Sequence, residues 1–465
     1  MPILQHTQTP FPSHIFRAYD IRGVVDVDLT ASIVYDIGMA LGSLAQERGE
    51  KTLIVGRDGR LSGPQLGAAL QAGIMATGCN VIDIGVVPTP LMYFATQTLG
   101  VHSGIMLTGS HNPANYNGIK MVMQDVALTE AEIQALYQRL KAKQVKIGQG
   151  TRREHPIIQA YIDYVAGNVH LKRKLKVVLD SGNGVPGAVV PALFRALGCE
   201  VIELFCEVDG HFPNHHPDPT RPENLEDLIV AVKQHKADIG LGFDGDGDRL
   251  GVVDDRGQVL WADRQLMLYA QAVLIKHPGG KVIYDVKCSK NVASVVKAAG
   301  GEPIMTKTGH SFMKAKLRET RAVLAGELSG HICFNDHWFG FDDGLYTGAR
   351  LLEIVAHQPL AAHALFATVP DSVSTPEYHV MIADDRKFGY MDTLMQHAQF
   401  PGANVITIDG LRIEWPDAWG LVRASNTTPC LVLRFEADSE AALDRVRAVF
   451  KAFMLQYDAT LTIPF

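Results

Sequence analysis

The chain has 465 residues, 47% of them hydrophobic and 20% charged, an ordinary globular composition and a length sufficient for three or four domains with full cores. A formal net charge of −7 argues against wholesale nucleic-acid binding, and the apolar content argues against disorder. Any preference for an anion such as phosphate must therefore come from a local pocket.

The opening "MPILQHTQTPFPSHIF" has no basic region followed by an apolar one, and no run approaches the ~18 apolar residues of a spanning helix. A cytoplasmic protein without a membrane partner is expected. The cysteines (Cys79, Cys199, Cys206, Cys288, Cys333, Cys430) are scattered without a C-x-x-C and read as reduced core residues.

A unit of strand, glycine turn, helix, glycine and strand occurs three times. The first copy is "KTLIVGRDGRLSGPQLGAALQAGIMATGCNVIDIG", the second "LKVVLDSGNGVPGAVVPALFRALGCEVIEL", the third "GKVIYDVKCSKNVASVVKAAGGEPIMTK". In each, a buried β-branched run precedes a turn, and an apolar-faced helix ends at glycine (Gly78, Gly198, Gly300). This pattern predicts three related α/β domains.

After the first copy, the apolar strand "SGIML" delivers the loop "TGSHNPANYNGIK", residues 108 to 120, whose Gly, Pro and Asn density marks a long connection. Ser110 beside His111 is a candidate nucleophile, and Lys120 a cation for an anion to meet. The plainer reading is a turn whose Ser and Asn side chains bond their own backbone. No G-x-S-x-G elbow is present, so a hydrolase triad is not expected. Thr129 with Glu132 forms a capping box ahead of Ile133, Leu136 and Leu140, and "KAKQVKIGQGTRREHP" closes the first domain near residue 155.

The second copy carries Gly182, Gly184 and Gly187 as G-x-G-x-x-G after the strand "KVVLD", with Glu203 beyond, which matches a dinucleotide-binding fingerprint. Pro186 stiffens that turn, and Asp180 and Ser181 crowd the place a pyrophosphate would take, so a nicotinamide-dependent oxidoreductase is the lesser reading. The stretch "FDGDGDRLGV", residues 243 to 252, then sets Asp244, Asp246 and Asp248 at alternate positions before Arg249. Carboxylates so close repel one another unless the loop is merely a solvated acidic turn, and a hard divalent cation offsets that repulsion. An EF-hand fails on detail: Arg249 stands where the turn needs Gly, Asp255 where the bidentate Glu belongs, and the flanks read as strands. One metal is expected here, with Arg249 free for an anion. A boundary follows near 258.

In "AGELSGHICF", residues 325 to 334, Glu327, Ser329 and His331 alternate, and an extended backbone would project them one way, toward sugar hydroxyls or as a polar strand edge. The cluster "TVPDSVSTPEY" places the last boundary near 370. Beyond it "NVITIDGLRIEW" reads as a hairpin, "CLVLRFEAD" as a strand and "SEAALDRVRAVFKAFML" as an amphipathic closing helix, a distinct α+β domain. Its "VRASNTTPC", residues 422 to 430, offers Arg423, hydroxyls and backbone N–H groups, either a phosphate nest or an ST-rich turn. The expected division is 1–155, 156–258, 259–370 and 371–465.

Together these segments resemble the α-D-phosphohexomutase superfamily, and within it the bacterial phosphomannomutase/phosphoglucomutase branch. The likeness runs through "FRAYDIRG", residues 16 to 23, then "TGSHNPANYNGIK", "FDGDGDR", "GELSGH" and "RASNTTP" in the family's order. It implies four domains around a central cleft. By that resemblance Ser110 is the phosphoserine and shares Mg2+ with Asp244, Asp246 and Asp248. Glu327 and Ser329 contact sugar hydroxyls, while Arg423, Ser425, Asn426 and Thr427 cradle the substrate's own phosphate with Tyr19, Lys287 and His310 nearby. Arg22, Lys120, Arg249 and His331 match residues surrounding the reacting oxygen. The implied partners are hexose phosphates and the implied activator is glucose 1,6-bisphosphate, with the enzyme a monomer.

Leu328 stands where the branch commonly has Met, a volume-conserving swap. Phosphoglucosamine mutase is the neighbouring alternative, but Thr108, Gly109 and "SNTTP" favour the hexose branch, with mannose or glucose left open. A catalytically dead sugar-phosphate sensor would not need to keep Ser110 and all three aspartates.

Overall fold

The computed structural model describes residues 11–426 and 428–465 and contains four sheets, formed in chain order. The first runs Ile21–Val24, Tyr116–Met123, Gly104–Leu107, Thr52–Arg57, Asn80–Val86, Arg152–Glu154, with Val126–Ala127 pairing the end of Tyr116–Met123. The second runs Val259–Leu260, Leu250–Asp254, Ile239–Phe243, Lys176–Asp180, Glu200–Leu204, and the third Glu302–Thr306, Lys281–Asp285, Leu324–Gly326, Ile332–Phe334. Each is mixed and flanked by helices, which makes three related α/β domains, as the repeat predicted. The helices stop where Gly78, Gly198 and Gly300 take φ of 92°, 88° and 79°, a conformation that costs a side-chain-bearing residue energy.

The three sheets share one device that positions the chemistry. A parallel strand (Gly104–Leu107, Ile239–Phe243, Leu324–Gly326) turns back into an antiparallel partner (Tyr116–Met123, Leu250–Asp254, Ile332–Phe334). The three connections are 108–115, 244–249 and 327–331, each leaving the carboxyl end of a parallel strand, where open α/β sheets present their ligand crevice. Glu327, Ser329 and His331 therefore do not alternate along an extended strand, as the sequence suggested. They lie in the hairpin connection, turned by Gly330 at φ 94°.

The fourth sheet is antiparallel through its core, Leu411–Glu414, Ala418–Ala424 and Cys430–Ala437, and presents the 425–429 connection. Helices Asp384–Gln396 and Glu440–Tyr457 belong to the same domain and contribute Leu394, Leu443 and Phe450 to its core, with Ser439 capping the second by accepting from Ala442 N–H. One apolar mass links the first three domains, from Ile54 and Tyr93 through Leu193 and Phe243 to Val282 and Val355, whereas the fourth has its own core. A small apolar seam of Val286, Trp419 and Leu421 joins the third and fourth domains. There buried Arg412 stacks 3.7 Å from the Trp419 ring and donates to Val286 O at 2.5 Å and Cys288 O at 2.7 Å.

The G-x-G-x-x-G turn serves packing. A Cβ on Gly184 would come within 2.9 Å of Gly245 O, and one on Gly187 within 2.0 Å of Cys206 O. His215 Nε2 sits 3.0 Å from Asp180, which further fills the approach a pyrophosphate would need. Among the described residues no helix is long and apolar enough to cross a membrane.

Candidate active site

Ser110 adopts φ 48°, rare for a residue with a side chain, and is buried. Its N–H donates to Thr108 Oγ1 at 2.8 Å, and its hydroxyl donates to Asp244 Oδ2 at 3.0 Å. His111 Nδ1 lies 3.1 Å from the same hydroxyl. Burial, then the Arg249 and Arg22 cations, push His111 well below the usual histidine range, so it stands neutral.

Asp244, Asp246 and Asp248 are all 0% exposed, and one oxygen of each lies within 4.8 Å of the others. The turn itself holds Asp244, whose Oδ1 accepts from Gly247 N–H at 3.0 Å and Arg249 N–H at 3.1 Å. Asp246 Oδ2 accepts from Thr89 Oγ1 at 2.5 Å, Thr108 Oγ1 at 3.2 Å and Lys120 Nζ at 2.7 Å, and Lys120 also donates to Asp248. Burial opposes charge on Lys120 and Asp248, but each is offset: Asp246 and Asp248 hold the ammonium charged, and Lys120 with His331 keep Asp248 ionised. Asp244 is left over. Burial, then Asp248 and Asp246, raise it well above the usual carboxylate range, so this pocket carries more carboxylate than its lysine neutralises.

The third domain closes this end. Arg249 Nε lies 3.2 Å from His331 Nε2, and the backbones of these two residues form a β-bridge across the domain boundary. His331 Nε2 is 3.3 Å from Asp248 Oδ1, and its Nδ1 lies 3.0 Å from both Glu327 Oε2 and Ser329 Oγ. Arg22 reaches the Ser110 loop by donating to Asn112 Oδ1 at 2.5 Å and to Asp20 Oδ2 at 2.5 Å.

A second cluster gathers around Tyr19. Its hydroxyl donates to Thr308 O at 3.1 Å and accepts from the Asn426 amide, joining the first, third and fourth domains. Burial pushes this phenol up to about 12, so it stays a neutral donor. Gly309 can have no side chain here, because at φ 135° a Cβ would lie 2.8 Å from the Tyr19 ring. Its N–H donates to Glu327 Oε1 at 2.6 Å, and the next residue, His310, sets Nδ1 3.3 Å from Asp342 Oδ2. Arg423 donates to Asp409 at 3.0 Å, Lys287 pairs with Glu377 at 3.0 Å, and Ser425 Oγ accepts from Thr428 N–H at 3.1 Å. Thr427 lies outside the described residues.

Family models cover the chain in the same succession: phosphoglucomutase/phosphomannomutase alpha/beta/alpha domains I, II and III over residues 13–146, 159–257 and 261–372, and the C-terminal domain over 384–452. The chain belongs to the phosphoglucomutase/phosphomannomutase family. A phosphomannomutase/phosphoglucomutase of Pseudomonas putida is 52% identical over 98% of both chains, and a phosphoglucomutase of Neisseria gonorrhoeae 50% identical over 94% of this chain and 96% of that one. A crystal structure of a phosphoglucomutase/phosphomannomutase family protein from Burkholderia thailandensis superposes with a TM-score of 0.94, at 50% identity, covering 98% of this chain and 100% of that one. The protein is thus a mutase, an isomerase acting on sugar phosphates.

For a phosphoglucomutase/phosphomannomutase, several polar residues in and around this cleft were not legible as such. Asp58, Arg60, Thr89, Asp342, Glu377 and Asp409 pass as ordinary polar positions in the sequence, yet Asp58, Arg60, Thr89 and Asp342 are buried. One signal was present for two of them: "GRDGR" puts three charges directly after the buried strand run "TLIV", where a sheet of this kind ends in its ligand crevice.

Proposed function

We propose that this enzyme interconverts the 6-phosphate and 1-phosphate of mannose, glucose or both, with Ser110 as phosphoryl carrier. The carrying observation is the Ser110 hydroxyl fixed 3.0 Å from one member of a buried carboxylate triad. Asp244, Asp246 and Asp248 would hold Mg2+ together with an oxygen of the phosphorylated serine. Their fit to a hard cation rests on the buried oxygen Asp246 Oδ1, which has no hydrogen-bond partner, and on the surplus carboxylate at Asp244. When bound, such an ion neutralises charge on the transferring phosphoryl group.

In this reading the free O1 or O6 of a hexose monophosphate attacks the phosphorus. The new O–P bond forms as the Ser110 Oγ–P bond breaks, and the hydroxyl proton passes to the Glu327 carboxylate, which His331 holds ionised. Lys120 and Arg249 face the charge that spreads over the phosphoryl oxygens. The 1,6-bisphosphate then turns over within the cleft, and Ser110 Oγ takes back the other phosphoryl group. Glu327 and Ser329 orient the sugar, and Arg22 and His331 line the reacting end. Arg423, Ser425, Asn426 and Thr427, with Tyr19, Lys287 and His310, hold the phosphate that is not reacting. Glucose 1,6-bisphosphate would activate the enzyme by loading Ser110.

The test is mass spectrometry of active enzyme combined with side-by-side turnover of glucose 1-phosphate, mannose 1-phosphate and glucosamine 1-phosphate. One phosphoryl group on the Ser110 peptide is expected, and Ser110→Ala should bind hexose phosphate with nearly all turnover lost. A phosphoryl group found only elsewhere defeats the assignment, and preference for the glucosamine ester would move the enzyme to the neighbouring branch.

A further inference from the structure

We infer that Arg60, a residue with no part in the chemistry described above, is the positioning residue that sets the conformation of the phosphoryl-carrying loop. The inference rests on Ser110 being the carrier. Arg60 is 1% exposed, and every N–H of its guanidinium is used. Nε donates to Asp58 Oδ2 at 3.2 Å. Nη1 donates to Pro113 O at 2.6 Å and Tyr116 O at 2.9 Å, and Nη2 to Ser110 O at 2.8 Å and Asn112 O at 2.6 Å. Thus three carbonyls of the loop, and that of Tyr116 at the head of the strand that follows it, converge on one planar cation.

Convergent buried carbonyls without a donor repel one another and lose their solvation, so the loop holds this shape only while the guanidinium is there. Asp58 completes the clamp by accepting from Gly109 N–H at 3.1 Å. Between these two anchors Ser110 is kept at φ 48°, and that strained setting aims its hydroxyl at Asp244. The same loop carries Asn112, whose side chain receives Arg22, so a loosened loop misplaces a second group at the reacting end. With its donors spent, Arg60 has none left for a phosphoryl oxygen. Its effect travels through geometry alone. Lysine cannot replace it, because an ammonium offers three donors from one point where five must fan out in a plane.

The experiment compares wild type, Arg60→Lys and Arg60→Ala, each checked for folding by circular dichroism and a thermal melt. Each is loaded with glucose 1,6-bisphosphate, the phosphoryl group on Ser110 is followed by mass spectrometry, and turnover of glucose 1-phosphate is measured. Misplacement of the carrier by an ångström should lower kcat about 10²-fold. KM should stay within about threefold, because the other phosphate is held by a different domain. Millimolar guanidinium should restore Arg60→Ala saturably and leave Arg60→Lys unaffected. A folded Arg60→Lys with the kcat of wild type overturns the inference, as does a loss in Arg60→Ala that guanidinium leaves untouched. Should Arg60→Ala fail to fold, the kcat and KM of Arg60→Lys decide. Wild type that turns over without phosphoryl on Ser110 defeats the carrier reading itself, and the inference with it.

Discussion

The Ser110 hydroxyl donates to Asp244 Oδ2 across 3.0 Å although 134 positions separate the two residues. Both stand in the same place of related domains, the turn after a parallel strand, and the close approach of Gly245 to Ser110 O lets the two turns touch. A Cβ on that glycine would lie 2.4 Å from the carbonyl. The proposed carrier and the proposed cation pocket thus come from different domains and exist as one site only when those domains are packed together.

Because the carboxylates of that pocket are surplus to Lys120, removing a divalent cation should leave the folded enzyme without activity, and Mg2+ should restore it. Asp246→Asn withdraws one negative ligand and disturbs the contacts to Thr89, Thr108 and Lys120. Half-maximal activity should then need at least about tenfold more Mg2+. Full turnover in EDTA would contradict the cation reading.

Arg423 is buried in the fourth domain against Asp409. A charge-assisted contact to phosphate is worth roughly 1.5–3 kcal/mol, so Arg423→Ala should lower kcat/KM about 10- to 150-fold, chiefly through KM. Weaker anchoring should also release more 1,6-bisphosphate during turnover, measurable by coupled assay of the medium. Unchanged KM with unchanged leakage would reduce the 425–429 connection to a plain turn.

Asp343 caps helix Gly344–His357 by accepting from Tyr346 N–H at 2.9 Å, and Tyr161 O–H donates to it at 2.8 Å. Burial raises its pKa to about 7, and the neighbouring Asp342 charge adds to the rise. The folded state therefore keeps a proton that the unfolded chain releases near pH 4, so this group's contribution to stability falls as pH rises from about 4 to about 7 and is flat above. Asp343→Asn retains the cap and removes the slope. At pH 8 it should exceed wild type by on the order of 1–4 kcal/mol. Thermal melts from pH 4 to 8 test this, and parallel profiles would refute it.

Arg412→Ala strips the donors from Val286 O and Cys288 O inside the seam between the third and fourth domains. Buried carbonyls left unpaired and a lost stack on Trp419 should destabilise the seam by about 2–5 kcal/mol. Calorimetry should show the fourth domain melting ahead of the rest, with KM raised because the 425–429 connection moves with it. A single unshifted transition would show that the seam does not depend on this residue.

Much of the fold was legible. The Thr129 capping box, the glycine stops and the strand pair around the acidic turn all rest on interactions within a few residues, and these form as expected. The Glu327 stretch was misread because alternation in five residues suits a strand and a tight hairpin equally, and only pairing of Leu324–Gly326 with Ile332–Phe334 tells them apart. Arg60 was missed for a different reason. Its value lies in the four carbonyls it meets, and backbone acceptors leave no mark on the residues that carry them.

What the sequence by itself determined was the three repeated α/β units, the distinct last domain, the family, and which loops carry unusual chemistry, since periodicity, turn residues and close-set charges act over short spans. Tertiary structure alone decided which loops meet: Lys120 reaches Asp246 across 126 positions, and Asn426 reaches Tyr19 across 407. It also decided which charges are buried and which are paired. Those outcomes depend on how the domains pack their apolar faces, a sum over the whole chain that no local stretch contains.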